Sequence, residues 1–99
     1  MITGPQCRAA RALVELPRER ISTLSGVAVD VIAAFETGML DPGEDVNQRL
    51  QAALEDCGAV FIAETKDDGL GVRLKFNRRE TRAVKGWEDE GGSVGDDDV

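Results

Sequence analysis

The hydroxyls of Ser22, Ser25 and Ser93 and the thiols of Cys7 and Cys57 are the nucleophiles of this chain, and it has no histidine. None of the serines has a base at a recognisable spacing, so nucleophilic catalysis has no second member. Cys7 and Cys57 fall on apolar faces of expected helices and read as buried small side chains rather than a disulfide or metal pair. Without histidine or a Cys-x-x-Cys spacing, a structural zinc is not expected. Asp67-Asp68 and Asp96-Asp97-Asp98 lack the alternating ligand positions of a calcium loop and read as solvated turn and tail. The chain is therefore not expected to be an enzyme or to need a cofactor or metal. What remains is the chemistry of recognition.

Two sets of residues bear on it. Arg8, Arg11, Arg18 and Arg20, with Arg78, Arg79 and Arg82 further on, are the cations that could meet phosphates. Against them stands Ala28-Val29-Asp30-Val31, which offers one acid and small apolar groups. The stretch 18–38, RERISTLSGVAVDVIAAFETG, contains this run and organises the chain. Two short amphipathic segments meet there at Gly26, and Leu24, Val27, Ile32 and Phe35 can close a core against a preceding helix. This is the pattern of a helix-turn-helix, whose second helix would be offered to the major groove. Direct readout of bases normally uses Arg, Lys, Asn or Gln. Val29, and Val31 if it too points outward, are better suited to a groove on a protein.

The elements that must position these residues are legible from capping and period. Thr3-Gly4-Pro5-Gln6 has the form of a capping box, with Pro5 tolerated in the first turn. Cys7, Ala10, Leu13 and Val14 form one apolar face of helix 1, with Arg8, Arg11 and Glu15 off it. Leu16-Pro17 ends that helix, because a residue before proline is pushed out of helical geometry. Helix 2 is expected over Arg18–Leu24, with Ile21 and Leu24 inward, and Gly26 suits the positive φ of its end. Helix 3 follows over Val29–Thr37, with Val31, Ile32 and Phe35 as its buried stripe (Val31 open to either side), and Gly38 is its capping candidate. Asp41-Pro42-Gly43-Glu44 is a second capping signature. It precedes a helix over Val46–Cys57 with the stripe Val46, Leu50, Ala53, Leu54 and Cys57.

The period then changes to two. Ala59–Glu64 and Gly71–Phe76 are β-prone, and Asp67-Asp68-Gly69 supplies the turn between them. On the second strand Val72, Leu74 and Phe76 face one way, Arg73 and Lys75 the other. A lone hairpin is marginal, so it must rest on the helices or pair with a second copy through its open edge. From Asn77 the pattern fails. Residues 77–85 carry four bases and one acid, whereas 86–99 carry six acids and no base. Composition predicts a tail disordered in isolation over 77–99, with Trp87 as one aromatic that could anchor a linear motif.

Length and charge bound the rest. The chain of 99 residues allows one domain, and one this small buries only about 60% of its unfolded surface. Net charge is −7, with 8 bases against 12 acids in residues 1–76 and 4 against 7 in the tail. That is not the electrostatic footprint of a nucleic-acid binder, although a local basic face can coexist with an acidic total. Apolar runs are too short for a membrane span, and residues 1–20 lack the core of a secretory signal, so a cytoplasmic location is expected.

Residues 2–76 resemble the Cro/repressor-like helix-turn-helix family of small bacterial transcriptional regulators. The resemblance rests on Ile2 to Leu13 and on Gly26-Val27, Ile32 and Phe35-Glu36-Thr37-Gly38. Leu50 to Ile62 and the strand Gly71-Val72-Arg73-Leu74 also carry it. It implies a mostly α fold. A four- to five-helix lambda-repressor-like domain spans 1–76, with a hairpin at 59–76 and a flexible charged tail at 77–99. Where the family has a Ser-Gln pair opening helix 2, this chain has Pro17 and Arg18. Where it has polar or basic residues opening helix 3, this chain has Ala28, Val29 and Asp30, and Val31 replaces a frequent threonine.

These departures lead to the expectation of a regulator that kept the scaffold but binds a protein partner. That partner would be a transcriptional activator that the chain occludes, and its contacts would come from Arg18, Val29, Asp30, Val31, Arg73, Lys75 and Trp87. Such a chain resembles the antiactivators of quorum sensing and conjugative-element transfer in rhizobia. The alternative is a dimeric DNA-binding repressor, paired through the hairpin, that uses Arg8, Arg11, Arg18, Arg20, Arg78 and Arg79 on phosphates. An antitoxin-like protein is a further member of that class.

Overall fold

A computed structural model of the chain describes residues 1–76. The expectations for Arg78, Arg79, Arg82, Trp87 and the tail therefore lie outside the described residues. Among these, the chain forms four helices followed by one antiparallel hairpin. The helices are α1 (Gly4–Val14), α2 (Arg18–Ser25), α3 (Val29–Glu36) and α4 (Glu44–Asp56), and the strands are β1 (Ala59–Ile62) and β2 (Gly71–Leu74). Among the described residues no helix is long and apolar enough to cross a membrane.

α1 begins as the sequence requires. The Thr3 hydroxyl accepts from the Gln6 amide at 3.1 Å while Gln6 Oε1 accepts from the Thr3 amide at 3.0 Å, so two orphan donors of the first turn are satisfied reciprocally. The helix closes on Glu15 in the left-handed region at φ 62°, with the Leu16 amide returning to Arg11 O. α2 ends at Gly26 with φ 77°, a conformation glycine adopts without steric penalty. Three residues, Gly26–Ala28, then separate α2 from α3. The 41–44 signature works differently from its expectation. Asp41 Oδ1 accepts from the Gly43 amide at 3.0 Å, a local turn, and α4 is capped by Gly43 with no side-chain hydrogen bond.

The core is the contact region of all four helices. Ile21, Ile32, Leu50, Leu54, Val14 and Cys7 are its largest fully buried side chains, and Ile2, Leu16, Val27, Phe35, Cys57 and Ala59 close around them. Two expected core members lie outside it, since Leu13 and Leu24 are exposed. Each sits at the flank of its helix stripe, where no neighbouring element among the described residues covers it. Helices this short rely on such packing rather than on propensity.

The hairpin pairs Ala59 with Leu74, Val60 with Arg73, Phe61 with Val72 and Ile62 with Gly71. Its inner face, Phe61, Val72 and Leu74, packs on the core beside buried Ala59, and Arg73 and Lys75 are exposed as the alternation predicts. Both strands pack on α1, and β1 also on α4. Gln6 fastens the hairpin to the first helix. Its Nε2 donates to Gly71 O at 2.8 Å and to Ile62 O at 3.3 Å, the two residues of the last strand pair.

Candidate functional site

Ile32 and Phe35 on α3 are buried, and Glu36 shares their face because it stands four positions beyond Ile32. On α1, Arg11 stands four beyond Cys7. The sequence reading put Arg11 off the apolar face, but the fold turns it inward. Arg11 Nε and Nη2 hold Glu36 Oε2 and Oε1 at 2.6 and 2.8 Å, and its Nη1 donates to Leu16 O at 3.3 Å. From the start of α2, Arg18 Nε reaches the same carboxylate at 3.0 Å. The Cys7 thiol lies 3.5 Å from Oε2. The Glu36 side chain is 0% exposed, against 16% for Arg11 and 34% for Arg18, so one fully buried anion is shared by two partly buried cations.

The electrostatics follow from this geometry. Burial pushes the Glu36 carboxyl upward, but hydrogen bonds from Arg11 and Arg18 outweigh it and hold the group below its ordinary value. Burial, then the adjacent carboxylate charge, pushes the Cys7 thiol up to about 12. A thiol so placed stays neutral and unreactive. The cluster is a structural joint between α1, α2 and α3.

Its outer side borders a groove. Arg8, Arg11, Pro17, Arg18, Glu19 and Val29 line an open groove of about 290 Å³ where α1, the start of α2 and the start of α3 converge. Thus the fold brings Arg8, Arg11 and Arg18 together with Val29, although 21 positions separate the first and last of these. Arg8 is exposed and makes no ion pair among the described residues. Arg20 is half-buried elsewhere on α2. Asp30 is exposed, whereas Val31, half-buried like Val29, packs against the core. Arg73 and Lys75 belong to the hairpin, which packs on α1 and α4, while α3 packs on α1 and α2. The expected protein-contacting residues are therefore divided between two regions of the surface.

Glu36 is the member of this joint that the helical pattern of the sequence does not single out. The signal was present: an acid at i+4 on an apolar helix face requires a buried cation, and Arg11 holds the corresponding place on α1. Among the described residues no cluster of histidine, cysteine, aspartate or glutamate could hold a metal ion. No protein-family model matches the chain, and no curated protein does.

Proposed function

We propose that α2 and α3 form a helix-turn-helix of the Cro/repressor-like kind, and that α3 serves as a protein-docking helix rather than a reader of bases. The observation that carries this reading is the composition of α3. VDVIAAFE contains no Arg, Lys, Asn or Gln, and its two charged groups are the exposed Asp30 and the buried Glu36. A helix without these side chains lacks donors for base edges, and an acid near its start repels a phosphate groove. The two eight-residue helices, their three-residue connection and the left-handed Gly26 support the motif. Charge supports the choice of partner, since residues 1–76 carry 8 bases against 12 acids.

The partner this reading favours is a transcriptional activator whose DNA-binding surface is occluded on complex formation, as in an antiactivator. The test has two arms. Full-length protein is titrated against genomic fragments at physiological salt, and separately against activators recovered from the native cell. The expected result is a stoichiometric complex insensitive to salt and no selective capture of DNA. Nanomolar, sequence-selective DNA capture overturns the proposal.

A second reading rests on the groove, which gathers Arg8, Arg11 and Arg18 beside α3. In a dimeric repressor, joined through the open edges of the hairpin, these side chains would lie along phosphates. Arg8→Ala would then weaken binding to every sequence and lower the salt slope by about one. An unchanged slope excludes it.

A further inference from the structure

The turn between the two strands holds a pair of residues that recognition does not use. Asp68-Gly69 is the only place in the chain where an aspartate precedes a glycine. Every other aspartate is followed by a residue whose Cβ crowds the next main-chain nitrogen, or by Pro42, which has no N–H to lose. Glycine leaves that nitrogen open to the carboxyl carbon of the preceding side chain. The structure adds two observations. Residues 63–70 are exposed, and the main chain around Asp68 is tied by Thr65 while the reacting groups are not. Thr65 Oγ1 accepts from the Asp67 and Asp68 amides at 3.2 and 2.9 Å, and Thr65 N donates to Asp68 O at 2.8 Å. Among the described residues, neither the Asp68 carboxylate nor the Gly69 amide has a hydrogen-bond partner. Moreover, the turn does not require glycine. Gly69 lies outside the left-handed region, and no atom stands within 4 Å of a Cβ built on it. Glycine supplies an unhindered nitrogen here, not a special conformation.

We propose that Asp68-Gly69 is a modification site, where isoaspartate forms spontaneously in the folded protein. The Gly69 nitrogen attacks Cγ of the Asp68 carboxyl in its protonated form. An N–Cγ bond forms, the Cγ–OH bond breaks, and the hydroxyl leaves with the amide proton as one water. Water then opens the resulting succinimide ring. Addition at Cγ restores aspartate. Addition at the former main-chain carbonyl routes the chain through the Asp68 side chain and leaves a free α-carboxylate. Both reacting groups belong to one dipeptide, so the only other reactant is that water. The product keeps its charge, but the main chain of the turn gains a methylene, and the oxygen held by Thr65 N becomes part of the new carboxylate. The adjoining strand pair, Ile62 with Gly71, is fastened by Gln6, so the added length is taken up within the turn.

The test holds full-length wild type and Gly69→Ala for weeks at neutral pH and physiological temperature, each both folded and in urea. Methyl transfer from S-adenosylmethionine by an isoaspartyl methyltransferase reads the new carboxylate, and fragmentation mass spectrometry places it. Gly69→Ala is a suitable control because a Cβ there meets open space, and circular dichroism verifies its fold. The expected result is isoaspartate at residue 68 of folded wild type, preceded by a species lighter by one water. Its rate should lie within a few-fold of that in the unfolded chain, and Gly69→Ala should accumulate several-fold less. A folded rate many-fold below the unfolded one overturns the proposal, because the Thr65 clasp then protects the site. So does residue 68 unmodified in both states, or equal accumulation in Gly69→Ala.

Discussion

Arg11 grips both carboxylate oxygens of Glu36 across 25 positions of sequence, with Nε at 2.6 Å and Nη2 at 2.8 Å. This paired contact joins the middle of α1 to the end of α3, and Arg18 extends it to α2. Removing Arg11 leaves the buried carboxylate to Arg18 alone, so Arg11→Ala should destabilise the domain by up to about 3 kcal/mol in chemical denaturation. Replacing both partners together, as Arg11→Met with Glu36→Leu, should cost clearly less than the sum of the single changes. Equal, additive losses would mean that the pair is not coupled.

The same contact sets a pH dependence. The folded carboxyl of Glu36 lies below its ordinary value of 4.5. Its stabilising contribution is therefore complete above the unfolded value and drains away as pH falls through the lower folded one. Thermal melts from neutral to strongly acidic pH should show a steeper acid loss in wild type than in Glu36→Gln, with the difference confined to pH below about 5. A parallel pair of curves contradicts this assignment.

Cys7 gives the opposite sign at the alkaline end. Its folded thiol is raised from 9.0 to about 12, so its contribution is intact below pH 9 and is lost as pH rises from there through the folded value. A thiol reagent at neutral pH should modify Cys7 only at the rate of unfolding, and denaturant should release it at once. Rapid labelling of the native protein at Cys7 contradicts its burial.

Gly4 and Phe35 approach so closely that a Cβ on residue 4 would lie 2.1 Å from the Phe35 carbonyl oxygen. The obstacle is backbone, which cannot swing aside as a side chain does. Gly4→Ala should cost about 3 kcal/mol, at the upper end of overpacking penalties, although alanine favours helices. Urea unfolding reads this directly, and a neutral or stabilised variant would mean that α1 and α3 sit further apart.

Two buried amides predict separable losses. Asn47 accepts from Ile2 N at 3.1 Å and donates to Ile2 O at 2.8 Å, closing the amino-terminal end onto α4. Asn47→Ala should destabilise globally by about 2 kcal/mol, because it orphans a buried backbone donor and acceptor. Gln6→Leu frees Ile62 O and Gly71 O instead. Its effect should be local, with faster amide exchange in the hairpin and little change in α4. Uniform acceleration throughout the domain would show that Gln6 supports the whole fold rather than the hairpin.

What the sequence determined by itself was local. The capping box at Thr3, the helix end forced by Pro17, the left-handed Gly26 and the alternation of Val72, Leu74 and Phe76 each follow from constraints within a few residues, so each is readable without a partner. The absence of base-reading side chains on α3 is likewise a fact of composition. Tertiary structure decided the rest. Periodicity says which face a residue occupies but not what will cover it, so Leu13 and Leu24 matched their stripes and still lie exposed. The same limit hid the polar joints. Glu36, Asn47 and Gln6 sit on faces that burial should forbid them, and each is stable there only because a guanidinium or a backbone group arrives from 25 to 65 positions away. The groove that gathers Arg8, Arg18 and Val29 arises in the same way, from three chain segments that meet only when the core closes.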